Sequence, residues 1–122
     1  DIPRLIDEIP VIAVAATQAD GETLISAAGE LRVKETDRLK AVSSELKKMG
    51  ADVKEVKDGL IIKGPTKLKG TEVNSYGDHR MAMSLAVASL VAEGETTIKN
   101  PECVNISFPS FYDTLNKIIK WS

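Results

Sequence analysis

Two segments that carry no charged residue constrain the fold of this chain more than any other feature. Pro10–Thr17 (PVIAVAAT) and Met81–Ala92 (MAMSLAVASLVA) are long enough to form helices and are apolar on nearly all sides. Helices of this kind lie inside a protein rather than on its surface. The candidate strands Thr23–Ala27, Asp52–Lys57 and Leu60–Lys63 are less uniform, and the first two mix polar and apolar residues as half-exposed strands do. The sequence therefore predicts an α/β (α+β) fold with its helices inside and its sheets outside.

Local signals place the connections between these elements. The dipeptide Asp58-Gly59 separates two strand candidates and predicts a hairpin with a type I′ turn. Glu35–Met49 is amphipathic and predicts a helix that Gly50 ends. Pro109–Ile119 has the same helical periodicity, with its proline in the first turn.

The two parts of the chain resemble each other at an offset of 73 residues. Ala13-Val14-Ala15 falls on Ala86-Val87-Ala88, and Gly21-Glu22-Thr23 falls on Gly94-Glu95-Thr96. The repeat predicts two copies of a helix–strand–loop–helix unit, about residues 1–70 and 71–122, within a single domain.

Composition excludes several classes of function. The 122 residues carry a formal net charge of −2, which gives no basic bulk for nucleic acid or an anionic membrane surface. No apolar run is long enough to span a bilayer. Cys103 and His79 are the only residues of their types, so we expect no disulfide and no cysteine- or histidine-based metal site. We expect a cytoplasmic protein, and the start at Asp1 without an initiator methionine suggests a piece of a longer one.

A dense cluster of charges, Arg32–Arg38 (RVKETDR), lies at the start of the predicted helix. Lys34 and Arg38 are four residues apart and would share one helical face, with Glu35 nearly on the same side. Cations beside a helix N-terminus favour an anionic ligand, and a carboxylate between them could move a proton. The alternative is a solvated helix start with internal ion pairs, which is the better explanation for one such cluster taken alone.

Two further helix starts carry charges. Asp78 is placed to cap the helix that follows, which puts Arg80 at an N-terminus that favours anions. The alternative here is a cap followed by two surface residues. Asp7 and Glu8 precede Pro10, so one of them would cap that helix and the other would be free to act as a base. If the helices run parallel, these starts share one face.

RVKETDRL at Arg32–Leu39 and DHRMAM at Asp78–Met83 resemble two signature motifs of the EPSP synthase (3-phosphoshikimate 1-carboxyvinyltransferase) family. LIDEIP near the start and SFPSFY near the end fit the same family, in the bacterial branch sometimes called class II. The resemblance implies a fold of two similar halves, each of three inside-out βαβαββ units. This chain matches about two of the three units of the C-terminal half.

The resemblance also implies a reaction, in which the enolpyruvyl group of phosphoenolpyruvate passes to the 5-hydroxyl of shikimate 3-phosphate without a metal or organic cofactor. It implies that Asp7 binds the shikimate hydroxyls and takes the 5-hydroxyl proton, and that Lys34 contacts the 3-phosphate. Glu35, Arg38 and Arg80 belong to the phosphoenolpyruvate site. Of these, Glu35 exchanges the proton at the methylene carbon.

Some implied contacts depart from the family pattern. Glu30 stands where some members have an asparagine, and Ile106 stands where some have a lysine that binds phosphoenolpyruvate. His79 is expected behind the residues that touch substrate. We expect the full-length enzyme to be a monomer and a glyphosate target, and this piece to be inactive without the missing N-terminal half. The alternative function is a non-catalytic anion-binding module on the same scaffold.

Overall fold

Helices and strands alternate along the part of the chain that the structure describes. The computed structural model describes residues 9–26, 37–99 and 106–108. Its helices are α1 (Ile9–Gln18), α2 (Arg38–Lys48) and α3 (His79–Val91). Its strands are β1 (Gly21–Ile25), β2 (Asp52–Val56), β3 (Gly59–Gly64), β4 (Glu72–Asn74), β5 (Thr96–Lys99) and β6 (Ile106–Phe108). None of the helices in these ranges combines the length and the apolarity that a membrane-spanning helix requires.

The helices contact one another in the interior, and each sheet packs on them from outside. α1 contacts both α3 and α2, and it also lies against β3. Ala13 of α1 and Ala88 of α3 are fully buried, because small side chains allow the two helices to approach closely. The predicted arrangement of helices inside sheets is present in the described residues.

The strands form two three-stranded sheets. In the first, β3 lies between β1 and β2 and is antiparallel to both. In the second, β5 lies between β4, to which it is parallel, and β6, to which it is antiparallel. The helix predicted at Pro109–Ile119 lies outside the described residues, so the division into repeats of about 1–70 and 71–122 stays a prediction.

Each of the two uncharged helices leaves apolar side chains exposed. Ile12 of α1 is 39% exposed, and on α3 Met83 is 51% and Leu90 50% exposed. An apolar helix surface is covered only where a neighbouring element packs against it, and no helix or strand of the described residues covers these side chains fully. One apolar face of each helix is therefore exposed in the described residues.

Helix α2 is shorter at its start than the predicted Glu35–Met49. Asp37 is its N-cap, with an extended backbone (φ −71°, ψ 94°) and a side chain that accepts a hydrogen bond from the Lys40 N–H at 3.1 Å. The helix therefore begins at Arg38, and Lys34, which was expected to share a helical face with Arg38, lies outside the described residues. The helix ends as predicted, because Gly50 adopts a left-handed conformation (φ +95°) that suits the C-terminal signal.

The predicted hairpin forms, but its turn lies one residue earlier. Val56 pairs with Gly59, so the two loop residues are Lys57 and Asp58, and neither has the positive φ that a type I′ turn needs. Gly59 is required for a different reason. A Cβ at this position would lie 1.8 Å from the backbone oxygen of Ile25 in β1.

We therefore expect Gly59→Ala to lower the free energy of unfolding by about 2–3 kcal/mol, since the clash is with backbone and β1 would have to move. Asp58→Ala is the matched control, because Asp58 is exposed in the adjacent turn. Its expected effect is within about 0.5 kcal/mol. Chemical denaturation of the full-length protein measures the free energy of unfolding of both variants. Equal values would show that β1 can move away from the added Cβ without loss of stability.

The segment that joins the first sheet to the second, residues 65–71, is bonded to three other elements. The Thr66 N–H donates to the Thr17 oxygen at 2.7 Å, and the Lys69 N–H donates to the Met49 oxygen at 2.8 Å. The Glu93 N–H donates to the Leu68 oxygen at 2.9 Å, and Leu68 itself is fully buried. Leu68 and these backbone hydrogen bonds therefore anchor the connection, although Pro65, Lys67 and Lys69 are exposed.

Candidate active site

A buried ion pair joins the two charged segments that the sequence singled out. Arg38, the first residue of α2, donates from Nε to Oδ2 of Asp78 at 2.7 Å and from Nη2 to Oδ1 at 3.1 Å. Their side chains are 5% and 0% exposed. Two parallel bonds from one guanidinium to one carboxylate fix the plane of the guanidinium as well as its distance. The orientation of Arg38 is therefore set by a residue 40 positions away in the sequence.

Asp78 has a second task, because it is also the N-cap of α3. Its backbone is extended (φ −91°, ψ 116°), and Oδ1 accepts a hydrogen bond from the Arg80 N–H at 3.0 Å. The predicted cap is thus confirmed. Arg80 is the second residue of α3 and is half-buried, while His79 opens the helix and is exposed. One carboxylate therefore holds Arg38 and fixes the helix start that carries Arg80.

A second buried carboxylate, Glu45, lies further along α2. Its Oε1 accepts from the Asn74 N–H at 2.7 Å and from Lys48 Nζ at 2.8 Å, and its Oε2 accepts from the Tyr76 hydroxyl at 2.8 Å. Burial alone would raise the pKa of Glu45. The hydrogen bonds from Lys48, Asn74 and Tyr76 together outweigh that effect and hold the pKa below its ordinary value. Glu45 is therefore a stable buried anion.

The turn between β4 and α3, residues 74–78, connects these two carboxylates. Tyr76 has a positive φ of 58°, which is uncommon for a residue with a Cβ, and Gly77 follows at 72°. The Asn74 side chain accepts from the Tyr76 N–H at 2.7 Å, and the Asp78 N–H donates to the Ser75 oxygen at 2.9 Å. The Ser75 hydroxyl donates to the Lys99 oxygen of β5 at 2.9 Å. The turn is thus hydrogen-bonded to β5 as well as to α2.

A cavity of about 260 Å³ opens beside this turn. The described residues that line it are Asp37, Lys40, Ala41, Ser44 and Tyr76. It lies along α2, between the capped start of that helix and the strained residue of the turn. Arg38 and Arg80 are not among these lining residues, so the cavity does not coincide with the cations that the sequence singled out.

The structure brings together some of the predicted site residues and does not reach others. Arg38 contacts Asp78 through its guanidinium, and Arg80 contacts it through its backbone N–H. The sequence identified Asp78 only as a helix cap. Asp7, Lys34 and Glu35 lie outside the described residues. So do the residues just before α1, where Asp7 or Glu8 was expected to act as the N-cap. Ile106 is within β6, of which only the backbone is described.

Sequence reasoning did not identify Glu45 or Tyr76. A signal for Glu45 was present, because it is seven residues after Arg38 and so lies two turns along the same helical face. A carboxylate on the buried face of an amphipathic helix needs partners, and this alone marks it for attention. Nothing in the sequence marked Tyr76 in this way. Its left-handed backbone is imposed by the turn and is not a conformation that tyrosine favours.

Comparisons with known proteins extend these observations. A family model described as EPSP synthase (3-phosphoshikimate 1-carboxyvinyltransferase) matches residues 1–115. A 3-phosphoshikimate 1-carboxyvinyltransferase from Thermodesulfovibrio yellowstonii is 60% identical over 119 residues, which are 98% of this chain and 28% of that protein. One from Thermoanaerobacter sp. is 63% identical over 117 residues, covering 96% of this chain and 28% of that protein. The chain thus spans less than a third of the length of these relatives.

Solved structures give the same result for the fold. The structure of EPSP synthase from Acinetobacter baumannii matches 80% of this chain and 23% of its own, with a TM-score of 0.75 and 42% identity. The enolpyruvyl transferase NikO from Streptomyces tendae covers 78% of this chain with a TM-score of 0.57, and at 22% identity it supports the fold alone. The predicted fold class, part of an enolpyruvyl transferase domain of mixed helices and strands, is confirmed.

Proposed function

Because the chain belongs to the EPSP synthase family, we propose that it supplies part of an active site that transfers the enolpyruvyl group of phosphoenolpyruvate. The acceptor is the 5-hydroxyl of shikimate 3-phosphate, and the products are enolpyruvylshikimate 3-phosphate and phosphate. The relatives that carry this activity in their names are more than three times as long as the matched segment. The rest of the site comes from the remaining length, and the 122-residue chain alone does not turn over.

The observation that carries this proposal is the Arg38–Asp78 pair. It joins the segment RVKETDRL to the segment DHRMAM at 2.7 Å, so residues from both motifs contribute to one place. Phosphoenolpyruvate carries a phosphate and a carboxylate, and it needs cations that are held in fixed orientations. Arg38 and Arg80 bind these anionic groups beside the N-terminus of α3, whose dipole also favours negative charge.

The remaining roles fall to residues that precede the described ranges. Asp7 binds the shikimate hydroxyls and accepts the 5-hydroxyl proton, and Lys34 contacts the 3-phosphate. Glu35 transfers the proton at the methylene carbon of phosphoenolpyruvate. Cations near the tetrahedral intermediate stabilise the negative charge that it carries. His79 supports the adjacent Arg80 without touching substrate.

The same proposal covers the setting of the enzyme. Its substrates are two small anions, it works in the cytoplasm as a monomer without a cofactor, and glyphosate competes for its phosphoenolpyruvate site. The contact that some family members make with a lysine at the position of Ile106 is either absent here or made by another part of the protein.

An assay of phosphate release tests this function. We expect the full-length protein to release phosphate only when both phosphoenolpyruvate and shikimate 3-phosphate are present, and the 122-residue chain to release none. Adding the remaining part of the protein to this chain restores release. An inactive full-length protein would contradict the proposal. Binding of phosphoenolpyruvate by this chain alone, without turnover in any combination, would favour a non-catalytic anion-binding module instead.

A further inference from the structure

Helix α2 holds the turn 74–78 at two places on one of its faces. Arg38 and Glu45 are seven residues apart, which is two helical turns, so both side chains project from the same side of α2. Arg38 binds Asp78 at the end of the turn, with Nε 2.7 Å from Oδ2. Glu45 binds the start of the turn through the Asn74 N–H at 2.7 Å and its middle through the Tyr76 hydroxyl at 2.8 Å.

The conformation of this turn depends on such contacts. Tyr76 has a φ of 58°, a left-handed conformation in which a Cβ is unfavourable. Residues persist in such conformations where the surrounding structure holds them there. Glu45 supplies two of the bonds that do so, one on each of its carboxylate oxygens. The Asn74 side chain supplies another through the Tyr76 N–H at 2.7 Å.

The Glu45 carboxylate lies in a place that would also suit an apolar side chain. It is fully buried, on a helix whose neighbouring residues Val42 and Leu46 belong to the core. An apolar side chain would pack there without the cost of removing a charge from water. The partners of Glu45, apart from Lys48 on the same helix, are both in the turn.

We propose that Glu45 is a positioning residue, which fixes the turn 74–78 so that Asp78 stands against Arg38 and caps α3 next to Arg80. Its effect on catalysis rests on the proposed function, in which Arg38 and Arg80 bind phosphoenolpyruvate. Glu45 itself touches neither substrate. Loss of its hydrogen bonds loosens the turn, shifts Asp78, and weakens the binding of phosphoenolpyruvate rather than that of shikimate 3-phosphate.

Three variants of the full-length protein test this in a graded way. Glu45→Ala removes both bonds to the turn, and we expect it to raise KM for phosphoenolpyruvate about 10- to 100-fold, since a small misplacement of binding groups is costly. Tyr76→Phe removes one bond and raises the same KM about tenfold. Glu45→Gln keeps a side-chain oxygen for the Asn74 N–H and retains the most activity of the three. KM for shikimate 3-phosphate stays within about twofold of the wild-type value in all three variants.

Ile62→Val is the control for general loss of stability. Ile62 is fully buried in the central strand β3, outside the turn, and the substitution has a modest effect on stability. We expect neither KM to change in this variant. A rise in both KM values together in the Glu45 variants, or no change in either, would overturn the positioning role. If Glu45→Ala does not fold, Tyr76→Phe and Glu45→Gln decide the question.

Hydrogen exchange separates this proposal from the proposed function. In Tyr76→Phe and Glu45→Gln, the amides of Asp78 and Arg80 exchange several-fold faster, while those of β1 and β3 keep their wild-type rates. Unaltered exchange in the turn, or faster exchange throughout the chain, would refute the positioning role whether or not the protein is a transferase. A wild-type protein without transferase activity would refute only the proposed function.

Discussion

Asp78→Ala lowers the free energy of unfolding by about 3–5 kcal/mol, because it leaves the Arg38 guanidinium buried without its paired carboxylate. The Arg38 side chain is 5% exposed, so few water molecules can reach it to take the place of the lost carboxylate. The same substitution removes the N-cap of α3. Chemical denaturation of the full-length protein, followed by a signal from this domain, measures the loss.

The chain contains a matched control for the cap. Asp37 caps α2 through the Lys40 N–H at 3.1 Å, as Asp78 caps α3 through the Arg80 N–H at 3.0 Å. Asp37 is half-buried, and Asp37→Ala should cost an amount typical of an N-cap, about 0.5–2 kcal/mol. Asp78→Asn keeps an oxygen for the cap but removes the charge, and we expect a loss between the two. Equal losses for Asp37→Ala and Asp78→Ala would show that the buried pair contributes nothing beyond the cap.

We expect Glu35→Gln in the full-length protein to lower turnover about 10²- to 10⁴-fold, the usual range for loss of a proton-transferring group. Glutamine has nearly the same shape but cannot accept and return a proton. Affinity for phosphoenolpyruvate, measured by titration calorimetry, should change little because Arg38 and Arg80, the ligands that we propose for it, remain. The variant also loses the exchange of solvent deuterium into the methylene group of phosphoenolpyruvate.

Glu22→Gln is the comparison for this substitution. Glu22 lies on β1 with its side chain 58% exposed and Lys63 3.9 Å away, so its removal should leave turnover unchanged. If Glu35→Gln also retained normal turnover, Glu35 would be a structural carboxylate near the start of α2. Lost affinity with normal turnover would instead make it a binding residue.

The sequence predicted those features of the fold that depend on neighbouring residues. Asp78 precedes an apolar run and forms a cap, and Gly50 ends α2 in the left-handed conformation that glycine permits. The buried stripe of α2 follows from helical periodicity, and Leu39 and Leu46 are indeed in the core. Each of these is encoded within a few residues of the place where it acts.

Features that depend on distant neighbours were not predictable in this way. Nothing near Asp78 in the sequence indicates that its partner is Arg38, since the pair forms only when α2 packs beside α3. The need for Gly59 comes from β1, which passes so close that no side chain fits. The Asp58-Gly59 motif predicted that Gly59 lies in the turn, whereas Gly59 belongs to β3 and is needed because β1 passes close to it. The predicted turn was therefore one residue too late.

The same distinction applies to the candidate site, in which some residues could be identified from the sequence and others could not. Arg38 and Arg80 were identified from residue type and from the resemblance, and their position at the starts of α2 and α3 is confirmed. Their chemical roles stay predictions, as do those of Asp7, Lys34 and Glu35. Glu45 was missed because its partners belong to a turn whose path the sequence does not reveal.

The connection between Gly64 and Gly70 shows how composition can mislead protein engineering. Two glycines and Pro65 within seven residues suggest a tolerant linker, the usual choice for a tag, a split point or a circular permutation. Here the backbone donates to Thr17 and Met49, and it accepts from Glu93. An insertion at this place would break the hydrogen bonds to α1 and to the residues that follow α2 and α3. The exposed hairpin at Lys57 and Asp58 is the better place to open this chain.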